Sequence, residues 1–165
     1  MAKETLMKLC GPFTYRIAFT REGITSVEGP EGQKNFSGQG SLKSPKLYII
    51  SNGNKPLYVG ATKRRVSDRL RDGFKASGEH GYYGYDWRRT LTKANFDIWV
   101  QVEGDIGTIR EIETVEAEVV FLIRKGFGQW PAHQTEIHFH PSEAIHREEA
   151  RKIVDHYWSA LCPTG

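Results

Sequence analysis

The sequence predicts a mixed α+β domain, a small and mainly antiparallel three-stranded sheet flanked by helices, with an N-terminal β extension and a C-terminal helix. Three observations carry that expectation. Two short apolar runs, Lys46 to Ile50 and Pro56 to Gly60, flank Ser51-Asn52-Gly53-Asn54, and Asn-Gly supplies the positive φ that a tight strand reversal needs. Phe96 to Val102 alternates, with Phe96, Ile98, Val100 and Val102 on one face as a third core strand. Apolar residues then recur at helical spacing in three places: Val66, Leu70 and Phe74; Ile112, Val115, Val119, Leu122 and Ile123; and Ala150, Ile153, Val154, Tyr157 and Leu161.

In chain order, Phe13 to Phe19 alternates as a strand that pairs with Ile24 to Glu28 across Arg21-Glu22-Gly23. Gly29 to Pro45 is rich in Gly, Ser and Lys and reads as a mobile linker. Residues 1–43 therefore form an extension holding a β-hairpin and linker, and 44–165 the principal domain. Gly60 ends the second strand of the core hairpin, and Ala61 to Phe74 is a basic helix with Arg69 at the edge of its apolar face. A loop from Ser77 to Trp87 follows, alternating glycines with aromatic rings, a composition suited to folding onto the core or to stacking on unpaired bases. Thr108-Ile109-Arg110-Glu111 is a capping box. The helix it opens is expected to reach Arg124-Lys125 and stop at Gly126, where cations meet the negative helix end. Gln134 to Phe139 alternates strictly, with Ile137 and Phe139 on one face, before a last helix from Ser142 to Leu161 that Pro163 terminates.

A chain of 165 residues is long enough to bury a core as one domain. Lys plus Arg number 23 against 20 Asp plus Glu, a surplus too small to identify a polyanion partner. The distribution says more: Lys63, Arg64, Arg65, Arg69, Arg71 and Lys75 face only Asp68 and Asp72 within that stretch, and Arg88, Arg89 and Lys93 follow. Such clustering suits either a solvated helix face or the phosphate backbone of a nucleic acid. Cys10 and Cys162 stand far apart without CxxC spacing, so no disulfide scaffold is expected. No run approaches the ~20 apolar residues of a membrane span, and Met1 to Glu4 lacks the apolar run of a secretory signal. A cytoplasmic protein is expected. No nucleotide-binding glycine loop, Ser-His-Asp order or nucleophilic cysteine signature stands out.

The core hairpin and the basic helix carry the strongest functional signal. Tyr48 and Tyr58 sit ten positions apart on adjoining strands, and Arg69 lies eleven further on. This arrangement resembles the GIY-YIG nuclease family, whose two short signatures appear here as Lys46-Leu47-Tyr48 and Tyr58-Val59-Gly60, followed by the arginine of Arg69-Leu70. The resemblance covers roughly residues 44–140. It implies a small α/β domain that cuts nucleic-acid phosphodiesters with a divalent metal, DNA being the expected substrate. It further implies that Tyr48 or Tyr58 takes the proton from the attacking water and that Arg69 binds the scissile phosphate.

Phosphodiester hydrolysis needs positive charge around a phosphorus on which negative charge builds. Oxygen ligands suit Mg2+ or Mn2+, and because magnesium keeps several waters, one carboxylate can suffice. Glu116, in Glu116-Ala117-Glu118-Val119-Val120, is the expected metal ligand and fourth catalytic residue, with Glu118 the competing choice. Lys63, Arg64, Arg65, His80, Tyr83 and Gln134 are expected to contact the DNA. A free phenol, with a pKa near ~10, is a poor base at neutral pH, so Lys63 and Arg69 must stabilise phenolate or the metal must acidify the water. The chain departs from the family pattern at Lys46, which replaces a glycine, and at Gly73, where the family often has His or Tyr, a place that His80, Tyr82 or Tyr83 is available to fill. It departs again at His133-Gln134, where an asparagine is common. Two other classes stay open: a non-catalytic nucleic-acid-binding module, and a protein stabilised by zinc on His133, Glu136, His138 and His140.

Overall fold

The computed structural model describes residues 7–78, 84–103, 109–134, 137 and 139–161. Five strands, β1 (Lys8–Thr20), β2 (Gly23–Glu28), β3 (Lys46–Asn52), β4 (Lys55–Thr62) and β5 (Lys93–Glu103), form one sheet in the order β2-β1-β5-β3-β4, antiparallel throughout. The α+β class is as expected, whereas the sheet has five strands rather than three. The difference lies in β1, which pairs with β5 along most of its length and so joins the N-terminal hairpin to the core. Local alternation marks β1 as a strand but carries no information about its distant partner.

Three helices cover the two faces: α1 (Val66–Lys75), α2 (Ile109–Phe127) and α3 (Ala144–Leu161). On one face α2 and α3 bury Leu47, Ile49, Val59 and Trp99 with Ile112, Val115, Val119, Ile123, Ile153 and Tyr157. On the other, α1 and the short 3-10 turn Asp86–Arg89 close over Tyr48, Ile50, Phe96 and Ile98 with Val66, Leu70, Phe74, Tyr85 and Trp87. Period-2 alternation along β3 sends Tyr48 and Ile50 to the α1 side and Leu47 and Ile49 to the α2 side.

Several boundaries differ from expectation for physical reasons. β4 continues through Ala61 and Thr62, so α1 begins at Val66 instead of Ala61. α2 runs through Gly126 to Phe127, and the left-handed residue is Gly128 at φ 74°. A side chain at Gly126 would collide with the indole of Trp158, so this glycine serves the approach of α3. The expected linker from Gly29 to Pro45 is pinned instead: Tyr15 donates its hydroxyl to the Ser37 carbonyl at 2.5 Å and accepts from the Gly40 amide at 3.1 Å. Arg88, counted among the surface cations, is buried and donates to the carbonyls of Phe74 and Ala76, capping the end of α1. The capping box at Thr108, the start of the chain and Cys162 lie outside the described residues. No described helix is long and apolar enough to cross a membrane.

Candidate active site

Among the described strands β4 is one edge of the sheet, and residues of α1 and α2 both line the cleft beside it. Tyr48 and Tyr58 sit diagonally on β3 and β4, since Tyr48 pairs with Gly60 and Ile50 with Tyr58. Their rings lie 6.0 Å apart between centroids. Gly60 is what lets Tyr48 lie flat across its neighbour, because a Cβ there would strike the phenol ring. The opposite face of Tyr48 stacks on Phe96 at 4.9 Å. From α1 comes Arg69, and from α2 come Glu113 and Glu116, one helical turn apart on one face.

These groups converge. Tyr48, Tyr58, Gly60, Ala61, Arg69, Glu113 and Glu116 line a single cleft of about 90 Å3. A cleft of that size is large enough to hold ordered water. Glu116 is only 5 % exposed and is among the residues that line the cleft. Glu118 is half-buried and is not among the residues that line it.

Burial holds the Tyr48 hydroxyl well above the usual phenol range, and the neighbouring Tyr85 adds to the rise while Arg69 opposes it. Tyr58 is raised in the same way, by burial first and Tyr48 second, again against Arg69. Both phenols are therefore neutral at physiological pH in the unliganded protein, and one guanidinium does not offset the loss of hydration.

Compared with known proteins, the chain stands apart. No family model, curated protein or solved structure matches it.

Two lining or bordering residues were not singled out from the sequence. Glu113 reaches the cleft beside Glu116 and accepts from His140 Nε2 at 2.8 Å, which ties the chain after α2 to the rim. Tyr85 places its hydroxyl 3.0 Å from that of Tyr48 and its ring 4.8 Å beneath the Arg69 guanidinium. It lies two residues beyond Tyr83 and covers Gly73, so the space left by a glycine at that position of α1 is filled from the following loop by Tyr85. His80 and Tyr83 themselves lie outside the described residues, as does Tyr82.

Lys63, Arg64 and Arg65 are exposed at the β4–α1 turn, with Arg64 paired to Asp72 at 2.7 Å. Lys46 is fully buried, and its ammonium donates to the carbonyls of Leu42, Ser44 and Arg64 at 2.8, 2.9 and 2.7 Å. Burial brings it down to about 8, and the three bonds clamp the turn that leads into α1. Gln134 bonds the edge strand with its side chain, accepting from the Val59 amide at 2.9 Å and donating to the Val59 carbonyl at 3.0 Å. The alternating run from Gln134 to Phe139 lies partly outside the described residues, which include only Gln134, Ile137 and Phe139 of it. Ile137 packs against the core and Phe139 is 75 % exposed. His133 bonds Asp86 at 2.7 Å and His140 bonds Glu113, so these two histidines have separate partners. Glu136 and His138 lie outside the described residues, and among the described ones no three His, Cys, Asp or Glu side chains gather as metal ligands.

Proposed function

We propose that this chain is a divalent-metal-dependent endonuclease that hydrolyses DNA phosphodiester bonds, a site of the kind the GIY-YIG resemblance implies. The observation that carries the reading is the common cleft of Tyr48, Tyr58, Arg69 and Glu116, four residues from four elements. A buried carboxylate opening on a small wet cleft beside a guanidinium has the charge pattern that a cation and an anionic ester need together.

Mg2+ or Mn2+ fits the donor set, because Glu116 with Glu113 offers hard oxygen ligands and the cleft has space for retained waters. Bound there, the metal would supply positive charge beside the ester and make water more acidic. Arg69 presents a planar fork of donors to the phosphate oxygens and so fixes the ester in the cleft. The Tyr48 and Tyr58 hydroxyls, neutral as they stand, orient the attacking water and donate to the oxygens on which charge builds. Exposed Lys63, Arg64 and Arg65 at the mouth of α1 extend the positive surface along the neighbouring phosphates.

Incubation of supercoiled plasmid with the protein tests this directly. Nicking in Mg2+ or Mn2+, abolished by chelator, is the expected outcome. Binding of the plasmid without cleavage in either metal would leave a non-catalytic nucleic-acid-binding module in its place.

A further inference from the structure

We propose that Tyr85 is a positioning residue of this site, holding the Arg69 guanidinium on its ring and setting the direction of the Tyr48 hydroxyl. The inference rests on the nuclease reading for its kinetic consequence but not for its geometry. Tyr85 is 2 % exposed and touches three of the four residues proposed as catalytic: Tyr48 through the hydroxyls, Tyr58 edge-to-face at 5.5 Å, and Arg69 through its ring face.

The surrounding chain is shaped around this ring. Gly73 sits within α1, where glycine is less favourable than alanine, yet any Cβ there would collide with Tyr85. Gly84, immediately before it, has φ 78°, and a Cβ at that position would strike the Gly73 carbonyl. Two glycines are thus committed to one tyrosine. Trp87 stacks on its other side at 4.9 Å, so the ring is gripped between the 3-10 turn and the guanidinium.

A buried ring of this kind is common in cores, but its two polar contacts aim at the cleft. A guanidinium is long and flexible, and holding it over an aromatic face removes rotamers before the phosphate arrives. The hydroxyl contact acts differently. The two hydroxyls lie 3.0 Å apart and either can donate, so the Tyr85 hydroxyl fixes the orientation of the Tyr48 hydroxyl at the cleft. The ring therefore governs binding through Arg69, and the hydroxyl governs the chemical step through Tyr48.

Two substitutions separate these parts. Tyr85→Phe keeps the ring and removes the hydroxyl, and is expected to lower kcat about tenfold with KM nearly unchanged. Tyr85→Leu removes the platform as well and is expected to raise KM further. Affinity for a duplex oligonucleotide is measured in chelator as a second, activity-independent readout. There Tyr85→Leu and Arg69→Ala each weaken binding, and the double variant is expected to bind no worse than Arg69→Ala alone. Thermal melts establish that each variant is folded, and a merely structural role would lower stability without splitting kcat from KM. A wild type that cuts, with Tyr85→Phe cutting equally well and the binding losses multiplying in the double variant, overturns the proposal and leaves the nuclease reading intact. A wild type that does not cut, but shows the coupling in binding, overturns the nuclease reading and retains Tyr85 as the platform for Arg69. Absence of both cleavage and coupling overturns both.

Discussion

Glu116→Ala is expected to slow DNA cleavage on the order of 1,000-fold, the rate equivalent of losing several kcal/mol of charge stabilisation at the ester. The carboxylate is the least exposed acid of the cleft and faces it from α2. Removing it takes negative charge away from a site that must admit a phosphate, so DNA affinity in chelator is expected to hold or increase. Glu116→Gln preserves size and is expected to lose cleavage as severely, which distinguishes a lost ligand from a collapsed helix. Glu118→Ala supplies the comparison: its side chain is half-buried and outside the cleft lining, and cleavage at the wild-type rate is expected. Single-turnover rates with saturating protein measure all three. Full activity in Glu116→Ala with loss in Glu118→Ala would move the metal to the other carboxylate.

Arg69→Ala is expected to cost about 100- to 1,000-fold in the same assay, the range found when a fixed donor to a developing oxyanion is removed. Unlike the change at Glu116, it is expected to weaken binding in chelator as well, because the phosphate loses its fork of donors in ground state and transition state alike. Arg69→Lys restores the charge without the planar geometry and is expected to recover only part of the rate. The guanidinium also opposes the rise in both phenols. Without it, Tyr48 and Tyr58 move still further from ionisation, so raising the pH is not expected to rescue Arg69→Ala. Rescue at alkaline pH would mean that phenolate, not neutral phenol, does the chemistry.

The core hairpin was legible because its determinants are local. Asn52-Gly53 specifies the reversal, the turn glycine takes φ 61°, and alternation alone puts Tyr48 and Tyr58 on one face. α2 was legible for the same reason, its apolar stripe fixing which side meets the sheet. Choosing among its acids was harder. Glu113 and Glu116 share one face of the helix and Glu118 lies on another, and which face borders the cleft depends on packing against β3 and β4 rather than on the stripe. Tyr85 was illegible because its signal is a steric relation between Gly73, Gly84 and a ring that arrives from the next loop. Glycines at 73 and 84 read locally as weak helix and turn residues, and only the close approach shows what they admit.

The claim on which the account stands is that the carboxylate and the guanidinium serve one phosphate. Groups acting as a unit give strongly non-additive losses. Cleavage rates of Glu116→Ala, Arg69→Ala and the double variant, measured together in Mg2+, therefore test it most directly. The account predicts a double variant within about threefold of the slower single. Losses that multiply, or a Glu116→Ala protein that cuts at the wild-type rate, would contradict it.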